Sequence, residues 1–245
     1  IFYCLCGELG MSGRLHFFRE LLYHYGIVPI LFFALIMRLV ALDLPQSYIF
    51  DEVYHVVTAK LIARNDPRAF EWWNPPIEPN TAVDWLHPPL AKYTQAAGML
   101  IFGENSFGWR ISSALFGVLV VGLVYLLSEE LFAKRWLSLL AAGLASLDGL
   151  LLVMSRVAMN DIHVTAFILL TMLLYLRYRQ KRASLWLVGL SVGLAMSSKW
   201  SGVFVLGWVW IAELQRLIAY ILLSGKTIRS ALPQLAVTAI RYLSY

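Results

Sequence analysis

The chain has 245 residues, of which 60% are hydrophobic and only 14% charged. A soluble domain carries roughly 45–50% apolar and ~25% charged residues, so this composition excludes an ordinary soluble core and indicates a multi-span membrane protein. Twenty Lys and Arg against fifteen Asp and Glu leave a net charge of +5. That excess suits cytoplasmic loops facing anionic lipid, and with no single basic patch it gives no sign of a nucleic-acid partner.

Residue 1 is Ile, and Met11 opens a more usual start, so residues 1–10 read as upstream read-through or as the tail of a truncation. Residues 1–24 read as a cytoplasmic N-terminal segment carrying Arg14 and Arg19. The first apolar run is too long for a signal peptide and reads as a membrane anchor. Cys4 and Cys6 are too few for a disulfide framework or a structural zinc site. A spanning helix needs ~20 mostly apolar residues, and six segments approach that length: 25–44, 109–127, 136–154, 159–176, 185–198 and 200–223. Together, residues 25–223 form one membrane domain. Residues 224–245 are a cytoplasmic tail or the start of a further span, since the chain stops in mid-pattern at IRYLSY.

Between the first two spans lies an outer loop, residues 45–108, rich in proline up to Pro88-Pro89. Its last part, LAKYTQAAGMLIF at 90–102, is too short to cross and reads as an interfacial or re-entrant helix. If it does not cross, Arg14 and Arg19, Lys134 and Arg135, the run RYRQKR at 177–182, and Arg216, Lys226 and Arg229 all fall on one side. That is the positive-inside arrangement. It puts the 45–108 loop, the 155–162 turn and the surroundings of Lys199 on the opposite, non-cytoplasmic face.

Most of the acidic residues then gather outside. Asp51 and Glu52 follow the first span in YIFDEVYH, at the hydrocarbon edge, where ionised groups are costly unless used or paired. A carboxylate there is a candidate base; the plainer alternative is a surface pair at a helix N-terminus. In DWLHPPLAKY, the two prolines fix an extended turn that presents His87 and Lys92. Arg110 stands at the outer end of a span otherwise free of charge, as a phosphate ligand or a snorkelling anchor. SRVAMNDIH places Arg156 and Asp161 in the next outer turn. Cations beside carboxylates on one membrane face suit a phosphate held next to a group that handles a proton. His55, His87, His163, Asp51 and Glu52 match no metal-binding spacing, so no metal or other cofactor is expected.

FDEVYH, HPPLAKY, GWRISSALFG, LDGLLLVMSRVAMND and SSKWSGVF occur in the order seen in protein O-mannosyltransferases, and over residues 26–210 the chain resembles that family. The resemblance implies an all-α, polytopic membrane protein, the N-terminal part of a GT-C glycosyltransferase fold. It also implies an inverting enzyme that moves mannose from a polyprenyl- or dolichyl-phosphate carrier to Ser or Thr hydroxyls of proteins at the outer or luminal face. By the family's motifs, Asp51 is the general base and Glu52 its neighbour in the acceptor site. Arg110 is the family's arginine in the second span, with Arg156 and Asp161 in the next outer turn; by analogy with related lipid-phosphate-sugar transferases Lys92 is a phosphate contact, and His87 beside it is a candidate for donor-phosphate or substrate binding. Members often pair, so a dimer is expected. The large soluble luminal domain and later spans of eukaryotic members are absent from these residues, which points to a bacterial or archaeal type cut short, or to an incomplete gene; a bacterial or archaeal member would sit at the plasma membrane, a eukaryotic one in the endoplasmic reticulum. Related enzymes glycosylate lipid A or other glycans with a similar first loop. A transporter is the rival of another class, though it would place charges near mid-membrane and often show an internal repeat.

Overall fold

The computed structural model describes residues 25–71, 73, 75 and 77–224; the expected N-terminal segment 1–24 and the tail 225–245 lie outside the described residues. Among the described residues the regular elements are all helical. They are α1 (Ile27–Leu39), α2 (Glu52–Ala63), α3 (Leu90–Phe102), α4 (Ser106–Phe132), α5 (Arg135–Leu147), α6 (Gly149–Met154), α7 (Asp161–Arg179), α8 (Leu185–Ser198) and α9 (Val203–Ser224), with 3-10 turns at Pro67–Phe70 and Trp200–Gly202.

Three helical segments are long and apolar enough to cross a membrane: Ser106–Phe132, Asp161–Arg179 and Trp200–Leu223. The apolar helices α1, α5 and α8 are shorter. The span expected over 136–154 is not continuous. Asp148 adopts an extended backbone, and its Oδ1 accepts from the Leu151 amide at 2.7 Å; as an N-cap it ends α5 and starts α6. The first outer loop is also more ordered than its prolines suggest, because it contains α2, whose Val56, Val57, Ala59 and Leu61 are buried.

Helix α4 is the axis of the bundle, packing against α1, α3, α5 and α7. Its Val120, Leu123 and Leu127 meet Ile162, Ala166 and Leu173 of α7, while Val121 and Tyr125 meet Ala34 of α1 and Ala142 of α5. Glu130 near the end of α4 pairs with Arg177 at the end of α7 at 2.9 Å, and with Arg182. Helices α4 and α7 therefore run in the same direction. Helix α3 reverses into α4 over Gly103 and returns so closely that a Cβ on Gly98 would lie 2.4 Å from the Gly108 carbonyl oxygen. Asn105 caps α4 by accepting from the Gly108 amide at 2.9 Å. At one end of the bundle lie the starts of α4 and α7, the end of α8 and the described residues of the 40–105 loop; at the other lie Glu130 and the arginines.

Candidate active site

Asp51 is the residue before α2, and its carbonyl accepts from the His55 amide at 3.0 Å, while its side chain makes no cap and is half-buried. Glu52, the first residue of the helix, is sealed from solvent. Its Oε1 accepts from Arg110 Nε at 2.8 Å and from the Ala158 amide at 2.9 Å, and its Oε2 accepts from Arg110 Nη2 at 2.8 Å and the Ile49 amide at 2.9 Å. The rest of the guanidinium is used as well: Nη1 donates to the carbonyls of Leu42 (3.2 Å) and Pro45 (2.8 Å), and Nη2 to that of Ser47 (3.1 Å). Arginine has five N–H donors, and all five end on protein oxygens.

Two expectations are corrected here. Arg110 is neither a snorkelling anchor nor a free phosphate ligand, because it is fully buried and its donors are occupied. Glu52 is not open to an acceptor. Together they form a buried ion pair that fastens the 42–52 segment to α4 and to the 155–160 turn. The neighbour, Asp51, is what the knot holds out.

A second knot forms around Asp84, whose side chain is 3% exposed. Its Oδ2 lies 2.8 Å from His55 Nδ1 and 2.9 Å from Lys92 Nζ. Its Oδ1 accepts from the Leu86 amide (3.1 Å) and the His87 amide (3.3 Å) and faces His87 Nδ1 at 3.3 Å. Lys92 also donates to the carbonyls of Asp84 at 3.0 Å and His87 at 2.9 Å, so its three N–H groups are satisfied and the residue is 1% exposed. The expected phosphate contact at Lys92 is therefore corrected to an internal clamp. Burial drives the Lys92 ammonium below its ordinary pKa, against the pull of Asp84. For Asp84, burial opposes ionisation, but the hydrogen bond from His55 and the Lys92 charge outweigh it and hold the carboxyl below the usual range.

His55, Asp84 and His87 bring ligand atoms within 4.8 Å of one another. A divalent cation among them would have to displace the ammonium that already lies on Asp84, so the trio fits a metal poorly. Two of the three, Asp84 and His87, line a recess of about 250 Å³ together with Thr58, Ala69, Phe70, Val83, Trp85, Pro89 and Lys92.

The third group comes from the later turns. Asp161 opens α7, and its Oδ1 accepts from Lys199 Nζ at 2.7 Å. Arg156 donates from Nη1 to the Met37 carbonyl (2.7 Å) and from Nη2 to that of Ala41 (3.1 Å), at the C-terminal end of α1. The 3-10 turn after α8 reaches the outer loop through Trp200 Nε1, which donates to the Leu86 carbonyl at 2.7 Å. Asp51, Arg110, Asp161, Arg156, His87 and Lys92 thus share one end of the bundle, although Asp51 does not line the recess beside His87. The sequence does not single out Asp84 as the hub, and it places Lys199 on the non-cytoplasmic face without a partner or role. The signal for Asp84 was its place in DWLHPPLAKY, three residues before His87 and eight before Lys92.

This is a polytopic helical membrane protein whose elaborated first loop folds onto the starts of two spans and the end of a third helix. A family profile described as dolichyl-phosphate-mannose-protein mannosyltransferase matches residues 28–243. The chain belongs to that family. It is 30% identical over 214 residues to a polyprenol-phosphate-mannose–protein mannosyltransferase of Corynebacterium glutamicum, covering 74% of this chain and 40% of the relative. It is 26% identical over 209 residues to dolichyl-phosphate-mannose–protein mannosyltransferase 1 of Saccharomyces cerevisiae, covering 76% and 24% of the respective lengths. Its fold matches the S. cerevisiae protein O-mannosyltransferase Pmt1-Pmt2 complex bound to the sugar donor, with a TM-score of 0.70 and 23% identity over 90% of this chain and 31% of that one. The chain thus spans well under half the length of these relatives.

Proposed function

We propose that the protein transfers mannose from a polyprenyl- or dolichyl-phosphate carrier to Ser or Thr hydroxyls of proteins, on the non-cytoplasmic face of the membrane. The observation that carries this reading is the half-buried Asp51, presented by the sealed Glu52–Arg110 pair at the bundle end that also holds Arg156 and Lys199. In the reaction, the Asp51 carboxylate accepts the proton of the acceptor hydroxyl as its oxygen bonds to the anomeric carbon. The bond from that carbon to the phosphate oxygen breaks, and its electron pair leaves with the carrier phosphate. Inversion follows from attack opposite the leaving group. Negative charge grows on that phosphate, and Arg156 and Lys199 are the partly exposed cations placed to meet it. The leaving group departs already charged, so the chemistry asks for no metal.

The curated relatives name both the mannosyl carrier and a protein acceptor, which favours protein over lipid A or another glycan. A transporter is disfavoured because the buried Glu52–Arg110 pair sits at the end of the bundle and not at mid-membrane. The structural relative is a two-protein complex, and pairing with a second chain of the family is the assembly this reading expects. The compartment would be the plasma membrane of a bacterium or archaeon, or the endoplasmic reticulum of a eukaryote.

The test is transfer in membranes from polyprenyl-phosphate-mannose, and from other lipid-phosphate sugars, to a Ser/Thr-rich peptide and to lipid A. Mannosylation of the peptide is expected, with Asp51→Asn lowering turnover by a factor of ~100 or more. Labelling of lipid A alone, or unchanged turnover in the variant, would overturn the reading.

A further inference from the structure

We propose that His87 hydrogen-bonds a hydroxyl of the sugar being transferred, through Nε2, with Asp84 holding the ring from behind. This rests on the mannosyl transfer proposed above and assigns a sugar-binding residue within it.

The ring's orientation comes from the Asp84 knot. Asp84 Oδ1 accepts the His87 amide and faces its Nδ1, both at 3.3 Å. A carboxylate only accepts, so a hydrogen bond there needs the proton on Nδ1, and a neutral ring then carries its lone pair on Nε2. A histidine fixed at one nitrogen by a carboxylate presents the other in a set tautomer and direction. In the same knot, the side chains of His55, Asp84 and Lys92 are 2–4% exposed, whereas that of His87 is 25% exposed. It is the member of the cluster that a ligand can reach, and it lines the 250 Å³ recess beside Trp85 and Pro89.

Its place in the chain of contacts indicates which ligand. The His87 ring meets that of His55 edge-on at 5.5 Å, and His55 lies one helical turn after Asp51, on the same face. In the other direction, the Leu86 carbonyl next to His87 accepts from Trp200, the neighbour of Lys199. From His87, contacts therefore lead toward the candidate base through His55 and toward a candidate phosphate cation through Leu86 and Trp200. A sugar in transit must occupy that interval, with its anomeric carbon between hydroxyl and phosphate. Its remaining hydroxyls are groups a lone pair on Nε2 can accept from.

The test separates a contact to the sugar from a structural role. In His87→Asn the amide nitrogen replaces Nδ1 and keeps the bond to Asp84, but nothing replaces Nε2; in His87→Gln the amide reaches the Nε2 position. Donor kcat/KM should fall about tenfold in His87→Asn, the scale of one lost hydrogen bond, recover in His87→Gln, and leave thermal stability in detergent nearly unchanged. The decisive measurement uses polyprenyl phosphates bearing mannose that lacks one hydroxyl at a time. With the donor lacking the partner hydroxyl, the wild type and His87→Asn should have equal kcat/KM. A His87→Asn penalty that is absent with the natural donor, or that persists undiminished across the whole deoxy series, would refute the contact. Failure of the wild type to use any mannosyl donor would instead remove the transfer reading, and this inference with it.

Discussion

Arg110 shows how the meaning of a charged residue depends on what surrounds it. The same guanidinium in the open would be a phosphate ligand; enclosed by Glu52 and three carbonyls, it is a structural tie. Lys in its place keeps the charge but has three donors for five acceptor contacts. Arg110→Lys is therefore expected to destabilise by about 1–3 kcal/mol through unsatisfied buried oxygens. Turnover should fall while the donor KM stays near its original value, as saturation kinetics and melting in detergent can show. Asp84 gives a prediction of the opposite kind, tied to pH. Its folded pKa is depressed, so its contribution to stability is fully present above the ordinary carboxyl value of ~3.9 and is lost as pH falls through the lower folded value. Asp84→Asn strands the Lys92 ammonium and should cost about 3–5 kcal/mol near neutrality. Melting curves against pH should show the gap between variant and wild type constant down to about pH 4 and closing only below it. Of these residues, the sequence disclosed the types and the membrane face, since Asp51, His87, Arg110 and Asp161 stand at the edges of apolar runs. It did not disclose which of them are enclosed. Glu52 and Asp51 are adjacent and alike in sequence, and what separates them is the rotation of about 100° per residue at the start of the helix, which turns one toward Arg110.

At the scale of elements, apolar length and charge spacing were enough to place α4, α7, α8 and α9, and the thirteen residues of α3 are what make it read as too short to cross. Helix α2 was less legible because it lies inside a proline-bearing loop, and its apolar face is covered by the loop itself: Leu61 packs on Ala69 and Val83. The break at Asp148 was hidden because a single acid within an apolar run looks like a tolerated charge until its side chain is seen capping Leu151. The turn from α3 into α4 depends on glycine. A Cβ at Gly108 would lie 2.0 Å from the Gly103 carbonyl oxygen, while one at Gly143 in α5 would meet nothing within 4 Å. Gly108→Ala should therefore lower stability by at least the ~1–3 kcal/mol typical of overpacking. Gly143→Ala, by contrast, should be neutral or stabilising by up to about 1 kcal/mol. Parallel melts of the two variants in one detergent compare them directly; equal shifts would contradict the close approach of α3 to α4.

For the molecule as a whole, the bundle has an acid-and-cation end around Asp51, Asp84 and Asp161 and a basic end around Arg177 and Arg182, where Glu130 is the paired carboxylate. In a bilayer these ends face opposite sides. Cysteine placed at Gln180 should be labelled by an impermeant reagent only from the cytoplasmic side, and cysteine at Asn80 only from the other. Labelling of both from one side would rule out a non-crossing α3. The Glu52 knot has a further consequence for biogenesis. Its carboxylate needs the guanidinium of Arg110 and the amide of Ala158, and the latter is 106 residues further along the chain. A nascent chain that has threaded α1 and the first loop into the membrane thus holds an unpaired acid at the hydrocarbon edge through the synthesis of α4, and an unfinished pocket until the turn before α7 follows. Such long-range closure comes late. During elongation the first loop is accordingly made well before the residues that close it and is among the last of these segments to settle, and in that interval it is open to chaperones and proteases on its side of the membrane.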